Sequence, residues 1–162
     1  MGGPLTRRRI LAGTAVLVLA AALAGPAAGS SAEVTRGDFH AFAAGTGLAI
    51  SGHAQMVRTA DDRTFVSVHL TGLAPNTAYA AHVHKAACGV GDADGHFQFV
   101  AGSGPTYVND VNEIWPGFTT NADGVGNGRA MNEGRAGAAA VSVVIHALTA
   151  TPNPKIACAD LE

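Results

Sequence analysis

The histidines are the residues of this chain whose type and spacing could do chemistry. His82 and His84 are two positions apart, and residues at that spacing project from the same face of a β-strand, where both could grip one cation. His96 follows in a Gly-His-Phe segment, and His146 closes an apolar run, where its polar ring needs a partner. We therefore predict one metal site built from four imidazoles, those of His82, His84, His96 and His146.

The ligand types indicate which metal such a site would hold. Neutral imidazoles with no cysteine or carboxylate beside them suit copper, which heads the divalent affinity order and accepts nitrogen ligands as Cu(I) and as Cu(II). Zinc would also bind such a set. We expect the other three histidines, His40, His53 and His69, to be solvated surface residues.

Short β-prone runs separated by turn residues must position the histidines. In residues 64–70, the apolar Val66, Val68 and Leu70 alternate with polar residues, which is typical of a strand with one buried face. No amphipathic helix pattern is evident, so we predict an all-β fold, a Greek-key, immunoglobulin-like β-sandwich or flattened barrel of about eight antiparallel strands. Residues 89–110, rich in Gly and Asp, are predicted to form a long loop. The predicted strands are 47–50, 54–58, 64–70, 78–84, 113–119, 126–130 and 140–147.

The first 32 residues have the composition of an export signal. Three consecutive arginines, Arg7 to Arg9, precede an apolar run that is too short and Ala-rich for a permanent span, and a Ser-x-Ala site ends at Ala32. We predict a secretory signal peptide over residues 1–32, with a partial fit to the twin-arginine type, and an uncleaved anchor is the alternative. The domain would then span residues 33–162 and be secreted or held outside the cytoplasm, in the periplasm or cell wall.

Charge and composition exclude some classes of partner. The chain has 162 residues, of which 48% are hydrophobic and 14% charged, as expected of one compact domain. Its formal net charge is −2, and no dense Lys/Arg block occurs outside the first ten residues, which argues against nucleic acid as a partner. Once the signal is removed, no stable membrane span is expected, and the remaining domain is more acidic because three arginines leave with the signal.

The only two cysteines, Cys88 and Cys158, both lie in the part predicted to be exported. Oxidising conditions outside the cytoplasm favour a disulfide between them. A catalytic or metal-bound pair is the alternative, although the two residues lack the close Cys-x-x-Cys spacing of zinc and redox motifs.

Several of these features occur in one order along the chain and together resemble the copper/zinc superoxide dismutase family. The matching segments cover essentially the whole exported part. The resemblance implies the sandwich-like barrel of the family and a disulfide between Cys88 and Cys158. The segments are Gly72-Leu73-Ala74-Pro75, His82-Val83-His84, Cys88, Gly95-His96-Phe97, Asn121-Ala122-Asp123-Gly124-Val125, Val144-Ile145-His146 and Lys155-Ile156-Ala157-Cys158.

The same resemblance implies a ligand set. It matches His82, His84 and His146 with the three histidines of the family that bind copper alone. It matches His96 with the histidine that bridges copper to zinc. Copper is therefore the cofactor that the resemblance implies.

The departures from the family pattern concern zinc and the substrate channel. No histidine occurs between Phe97 and Gly124, and Ile114 stands where the family has its zinc aspartate. The segment from His146 to the second cysteine is short, where the family has a long charged loop. Both losses resemble the copper-only branch of the family, so zinc is not expected. Lys155 replaces the active-site arginine three residues before the second cysteine.

The activity implied by the resemblance is antioxidant: dismutation of superoxide, a small-molecule substrate, to oxygen and hydrogen peroxide. His96 would carry a proton. Lys155 would attract the anion, at a reduced rate because an ammonium lacks the two-pronged geometry of a guanidinium. Glu113 or Asp110 would hold the distal nitrogen of His96, and a solvated loop acid is the alternative for each.

Two competing hypotheses remain at this point. One is an exported copper-binding protein of the same fold that buffers or delivers copper without turnover. The other is a β-sandwich interaction domain that keeps the histidines without metal.

Overall fold

The computed structural model describes residues 1–3 and 31–162, so the predicted signal peptide, residues 1–32, lies almost entirely outside the described residues. The described residues form nine strands and one short 3-10 turn, Ala43–Gly45. Within them, no helix has the length and apolar character needed to cross a membrane. The strands are β1 (Glu33–Asp38), β2 (His40–Ala41), β3 (Ser51–Arg58), β4 (Thr64–Thr71), β5 (Ala78–His84), β6 (Phe118–Thr119), β7 (Gly126–Asn132), β8 (Ser142–Ala147) and β9 (Lys155–Asp160).

Two antiparallel sheets form a β-sandwich. One sheet has four strands in the order β1-β3-β4-β7, and the other has five in the order β2-β9-β8-β5-β6. The chain crosses to the five-stranded sheet for β2 and returns for β3. It crosses again from β4 to β5, returns from β6 to β7 and crosses a last time from β7 to β8. These crossings make β5 and β8 neighbours although they are far apart in sequence. The predicted all-β sandwich is confirmed.

The core lies between the two sheets and follows the alternation of β4. Val66, Val68 and Leu70 of that strand are at most 3% exposed and pack in one cluster with the fully buried Val83 and Ile145 of the other sheet. Burying an aliphatic side chain of this size contributes roughly 1.5–3 kcal/mol relative to leaving it exposed. Because side chains alternate along a strand, this packing also decides which residues of β5 and β8 face away from the core.

Two of the predicted strands differ from the structure, and some strands of the structure were not predicted. The prediction of a strand at 47–50 is wrong: this segment packs on Gly72, where a Cβ would lie 2.0 Å from the Ala49 carbonyl oxygen. Residues 113–117 are loop, in which Glu113 and Ile114 are buried. Ile114 accepts one backbone hydrogen bond from Val83, and the regular ladder with β5 is limited to Phe118–Thr119. Strands β1 and β9 were not predicted, because they are rich in small and charged residues that have weak β propensity.

A long loop between β5 and β6 covers the outer face of the five-stranded sheet. It contains the predicted loop 89–110 but spans residues 85–117. His96 forms an isolated antiparallel bridge with His84, and the Phe97 N–H donates to the Val83 carbonyl oxygen at 2.8 Å. The loop thus runs beside β5 like a partial extra strand and carries His96 next to His84.

A disulfide anchors the start of this loop to β9. It joins Cys88 and Cys158, whose Cα atoms are 5.8 Å apart. The Cys88 N–H also donates to the Asp160 carboxylate at 2.8 Å. The structure therefore contains the predicted disulfide, and no free cysteine is present in the described residues.

We expect the double variant Cys88→Ser, Cys158→Ser to be less stable than the oxidised protein by about 4 kcal/mol. The cross-link spans 70 residues and removes loop-closure entropy from the unfolded chain. Urea unfolding curves measure the difference. The reduced wild-type protein is the matched control and should unfold at the same urea concentration as the double variant, whereas equal midpoints for the oxidised protein and the double variant would contradict this expectation.

Candidate metal centre

Strand geometry places three of the predicted ligands on the outer face of the five-stranded sheet. On β5, Val83 is fully buried in the core, so His82 and His84 project to the opposite face. His146 lies on the adjacent strand β8, where its backbone pairs with Ala80. The pairing of two strands that are distant in sequence thus brings the third histidine to the first two.

The four predicted histidines form one cluster. Their candidate ligand atoms, one ring nitrogen each, all lie within 4.8 Å of one another. The ring centroids of His82 and His96 are 4.0 Å apart, and those of His82 and His146 are 5.0 Å apart. His84 and His146 are buried, whereas His82 and His96 are half-buried. Among residues 1–3 and 31–162, this is the one group of three or more His, Cys, Asp or Glu side chains with such geometry.

Backbone carbonyls fix the orientation of two of the rings. Nδ1 of His84 donates to the carbonyl oxygens of Ala93 and Asp94, at 3.3 and 3.2 Å. Nδ1 of His146 donates to the carbonyl oxygen of Asn153 at 3.3 Å. A carbonyl can only accept, so each Nδ1 carries the proton and each Nε2 keeps a lone pair that can bind a metal.

The two Nε2 atoms defined in this way face each other. They are 3.3 Å apart in His84 and His146, and two lone pairs cannot form a hydrogen bond. Nδ1 of His82 is the one buried side-chain N or O of the described residues that has no hydrogen-bond partner, a costly state for a polar atom. A cation among the three rings would satisfy all of these nitrogens. Nitrogen ligands suit copper and zinc, so the residues present fit a transition metal.

Burial keeps these rings in the form that binds metal. It is the main reason that the pKa of His82 is lowered to about 2 and that of His84 to about 3, and the positive charges of neighbouring histidines lower both further. Burial likewise lowers the pKa of His146. Neutral imidazole is the ligand form, so protons do not compete for these three nitrogens near neutral pH.

A buried carboxylate holds the fourth ring. Nδ1 of His96 donates to Oε2 of Glu113 at 2.7 Å, and Glu113 is 1% exposed. The same carboxylate accepts from Nε1 of Trp115 at 2.8 Å and from Nε2 of Gln98 at 2.9 Å. Of the two acids considered for this contact, Glu113 therefore lies against His96, whereas Asp110 is exposed. His96 keeps Nε2 for the cluster.

Sequence reasoning missed two neighbours of this carboxylate, Gln98 and Trp115. The indole also lies edge-on to the ring of His82, with centroids 5.5 Å apart. The sequence did contain a signal for these two residues. A buried carboxylate needs several hydrogen-bond donors, and both residues are donors that lie close in sequence to the predicted site. Gln98 follows His96 by two positions, and Trp115 follows Glu113 by two.

Lys155 lies at the edge of the cluster and is hydrogen-bonded to the loop between β5 and β6. Its Nζ donates to the carbonyl oxygens of Asp92 and Asp94, at 2.6 Å each. The carbonyl of Asp94 also accepts from His84, so the ammonium and the ring share one acceptor. The charge of Lys155 adds to burial in lowering the pKa of His84 and of His146. The ammonium is therefore near enough to act on charge at the cluster.

The segment that Lys155 bonds is a left-handed turn. Residues 91–94 have φ angles of 55°, 51°, 66° and 52°, and each non-glycine residue in this region costs roughly 1–2 kcal/mol. The two hydrogen bonds from Lys155 and an ion pair of 3.3 Å between Lys85 and Asp94 offset part of that cost. This conformation turns two of its carbonyl groups toward His84.

The other three histidines lie outside the cluster. His40 is on β2, whereas His53 and His69 are on the four-stranded sheet. His40 and His53 are exposed, and His69 is half-buried.

We expect the metal-free protein to lose stability as the pH falls from 7 to 5. The histidines of the unfolded chain take up protons near pH 6.5, whereas His82 and His84 of the folded protein have pKa values of about 2 and 3. The unfolded state then binds more protons. The free energy of unfolding therefore decreases as the pH is lowered from about 6.5 to about 3. Melting temperatures across this range measure the effect.

The variant His84→Gln should flatten this pH dependence. The variant His53→Gln is the matched control, because it removes an exposed histidine of the other sheet, and it should leave the dependence as it is. A dependence that is equally steep without His84 would show that the ring does not titrate as described.

Comparison with known proteins bears on the fold. No family model matches the chain, and no curated protein matches its sequence. In structure, 52 chains match. One is superoxide dismutase 5 of Candida albicans, solved as a Glu-to-Gln mutant, which is 17% identical over 82% of this chain and 92% of that chain, with a TM-score of 0.53. The resemblance to a superoxide dismutase is thus confirmed at the level of fold: the chain has the β-sandwich architecture of that enzyme.

Proposed function

We propose that the protein is a copper-dependent superoxide dismutase that works outside the cytoplasm. The observation that carries this proposal is the convergence of four imidazole nitrogens within 4.8 Å, on a fold shared with a superoxide dismutase. The facing lone pairs of His84 and His146, 3.3 Å apart, and the unpartnered Nδ1 of His82 support a resident cation.

Four side chains would hold the metal. His82 would bind through Nδ1, and His84, His96 and His146 through Nε2. When bound, copper supplies a one-electron redox couple that superoxide can reduce in one half-reaction and oxidise in the other. Two superoxide ions and two protons then yield one oxygen and one hydrogen peroxide. Besides binding the metal, the residues must attract an anion and deliver protons.

His96 is the proposed proton carrier. Glu113 accepts the hydrogen of Nδ1 and so fixes the ring, which turns Nε2 toward the cluster. The ring is half-buried, so Nε2 could take up a proton from solvent and pass it on whenever it is not bound to the metal.

Lys155 is the proposed anion-attracting group. Its charge acts on the cluster, but two of its N–H groups are bonded to the loop carbonyls of Asp92 and Asp94. An ammonium has three donors, so one N–H remains to meet an incoming anion. A guanidinium has five donors in a planar fork and would keep more of them free. We therefore expect a dismutase of reduced rate.

Export is proposed on two grounds. Residues 1–32 have the features of a secretory signal, which leaves residues 33–162 as the exported domain. The disulfide between Cys88 and Cys158 is the kind of bond that persists in oxidising compartments.

A second candidate function is copper binding without turnover. The observation that favours it is the bonding of Lys155 to the carbonyls of Asp92 and Asp94, which engages the expected anion-attracting group in structure. Such a protein would use the same four histidines to buffer or deliver copper.

Metal content and superoxide decay, measured on the same sample, test the proposal. After addition of copper and dialysis, we expect one tightly retained copper by elemental analysis and rapid superoxide decay by pulse radiolysis. His82→Ala and His146→Ala should each abolish retention, because each removes one of the converging nitrogens. His40→Ala removes an exposed histidine on β2 and should leave both readouts unchanged.

The other outcomes of this experiment separate the candidates. Retained copper without superoxide consumption would reject the dismutase and favour the copper-binding protein. A protein that retains no copper would be the interaction domain without metal. One equivalent of zinc bound beside copper at the four-histidine cluster itself would contradict the expectation of a copper-only centre.

We expect Lys155→Arg to raise the rate constant of superoxide decay severalfold and Lys155→Ala to lower it. The arginine can keep the two carbonyl contacts of Lys155 and still present further N–H groups to the anion. Pulse radiolysis at several salt concentrations measures both the rate and its electrostatic component. Arg63→Ala, a charge removal in the turn between β3 and β4, is the control. A rate and salt dependence that do not change in Lys155→Arg would mean that Lys155 does not meet the substrate.

A further inference from the structure

A second pair of histidines lies on the outer face of the four-stranded sheet. Asp38, His53, His69 and Asn127 belong to β1, β3, β4 and β7 and are in direct register from each strand to the next. Directly opposed residues of antiparallel strands project from the same face of the sheet. The four side chains therefore form one row across all four strands, on a different sheet from the four-histidine cluster.

The rings of His53 and His69 are close enough to share one metal ion. The ring centroids of His53 and His69 are 5.6 Å apart with an interplanar angle of 40°. Ring pairs within the four-histidine cluster span 4.0 to 6.5 Å. The spacing of the second pair thus falls inside the range of the first site.

One ring of the pair already has the tautomer of a ligand. Nδ1 of His69 donates to Oδ1 of Asn127 at 2.9 Å. This bond leaves the lone pair on Nε2, as in histidines that bind metals while another group holds their second nitrogen. His53 is exposed, so its ring can turn to meet the same ion, and Asp38 lies on its other side in register.

The row has room for an ion and its water ligands. An open groove of about 540 Å³ lies over the part of the row formed by His53, His69 and Asn127. Beside the pair, β3 and β4 are held tightly together, because Gly52 sits where a Cβ would be 2.0 Å from the His69 carbonyl oxygen. The polar and charged side chains that line the groove are His53, Ser67, His69, Asn127 and Arg129.

We propose that His53 and His69 form a second metal site, which takes one divalent transition metal ion, copper(II) or zinc(II). Asp38 lies on the far side of His53 in the row and would favour the cation through its negative charge rather than as a ligand, and water would complete the coordination. Copper(II) should bind more tightly than zinc(II), following the general order for nitrogen ligands. The site is open and has fewer imidazoles than the four-histidine centre, so it should bind more weakly. The proposal does not depend on the function of that centre.

A small anion is the other ligand that the groove could accept, since Arg129 and Ser67 occupy the next row, where they pair with each other. An anion needs donors, however, and His69 directs its Nδ1 proton to Asn127. The ring therefore offers the groove an acceptor. The carboxylate of Asp38 adds negative charge to the same row. These features favour a cation.

Titration of the whole protein with copper(II), followed by calorimetry and by the ring signals of the histidines in NMR with zinc(II), tests the site. We expect two ions to bind, the second more weakly. His53→Gln and His69→Gln should each remove the weaker ion only, and Asp38→Asn should weaken it severalfold. His40→Gln is the matched exposed-histidine control and should bind two. With zinc(II), the ring signals of His53 and His69 should shift together.

The test also separates this site from the four-histidine centre. The double variant His82→Ala, His146→Ala should still bind one ion, and that ion should be lost when His53→Gln is added. If His53→Gln binds as many ions as the wild type, the proposal is wrong. It is equally wrong if inorganic phosphate shifts the ring signals of His53 and His69 while zinc(II) does not, because the groove would then be an anion site.

Discussion

The rest of this structure depends on one constraint: the lone pairs on Nε2 of His84 and Nε2 of His146 face each other in a buried site. If either His84 or His146 could move its proton to Nε2, the two rings would form a hydrogen bond with each other across 3.3 Å. Neither Nε2 would then lack a partner. The carbonyls of Asp94 and Asn153 prevent this, because they hold the protons on Nδ1. An unsatisfied buried polar atom costs roughly 1–3 kcal/mol. The protein thus maintains a cluster whose natural complement is a cation.

Both the strands and the loop of residues 85–117 contribute ligands to that cluster. Three histidines come from β5 and β8, whose pairing in the sheet fixes them. The fourth, His96, comes from the loop, together with Glu113, which orients it. Sites built on strands are held more precisely than sites on loops. A ligand set with three members on strands and one on a loop fits the role proposed for His96, since a group that moves protons needs contact with solvent.

Local patterns predicted the parts of the site that depend on strand period alone. The spacing of His82 and His84 was sufficient to place both on one face of a strand, and the alternation in β4 was sufficient to identify its buried residues. The inward turn of Glu113 could not be distinguished from a solvated loop acid, because it depends on donors supplied by Gln98 and Trp115 across the loop. Strand β9 was missed, since its small residues gain their place from neighbouring strands rather than from their own propensity.

The register between neighbouring strands could not be predicted from any local sequence pattern. The neighbours of His53 in sequence are the small residues Gly52 and Ala54, which correctly suggested a surface location for His53. That the rings of His53 and His69 meet follows from the exact pairing of β3 with β4, and the connection between the strands sets this pairing. A shift of one residue would turn one histidine to the opposite face.

Lys155 links the electrostatics of the centre to its geometry, and the two contributions can be separated physically. Through the carbonyl of Asp94 the ammonium touches the acceptor that orients His84, and it stabilises a left-handed turn that is unfavourable on its own. Its attraction for an anion acts through space and is screened over about 10 Å at 0.1 M salt. Its hydrogen bonds to the carbonyls are direct contacts at 2.6 Å and are screened much less. The part of the Lys155 effect that disappears at high salt is therefore attraction of the substrate, and the part that persists is the positioning of His84.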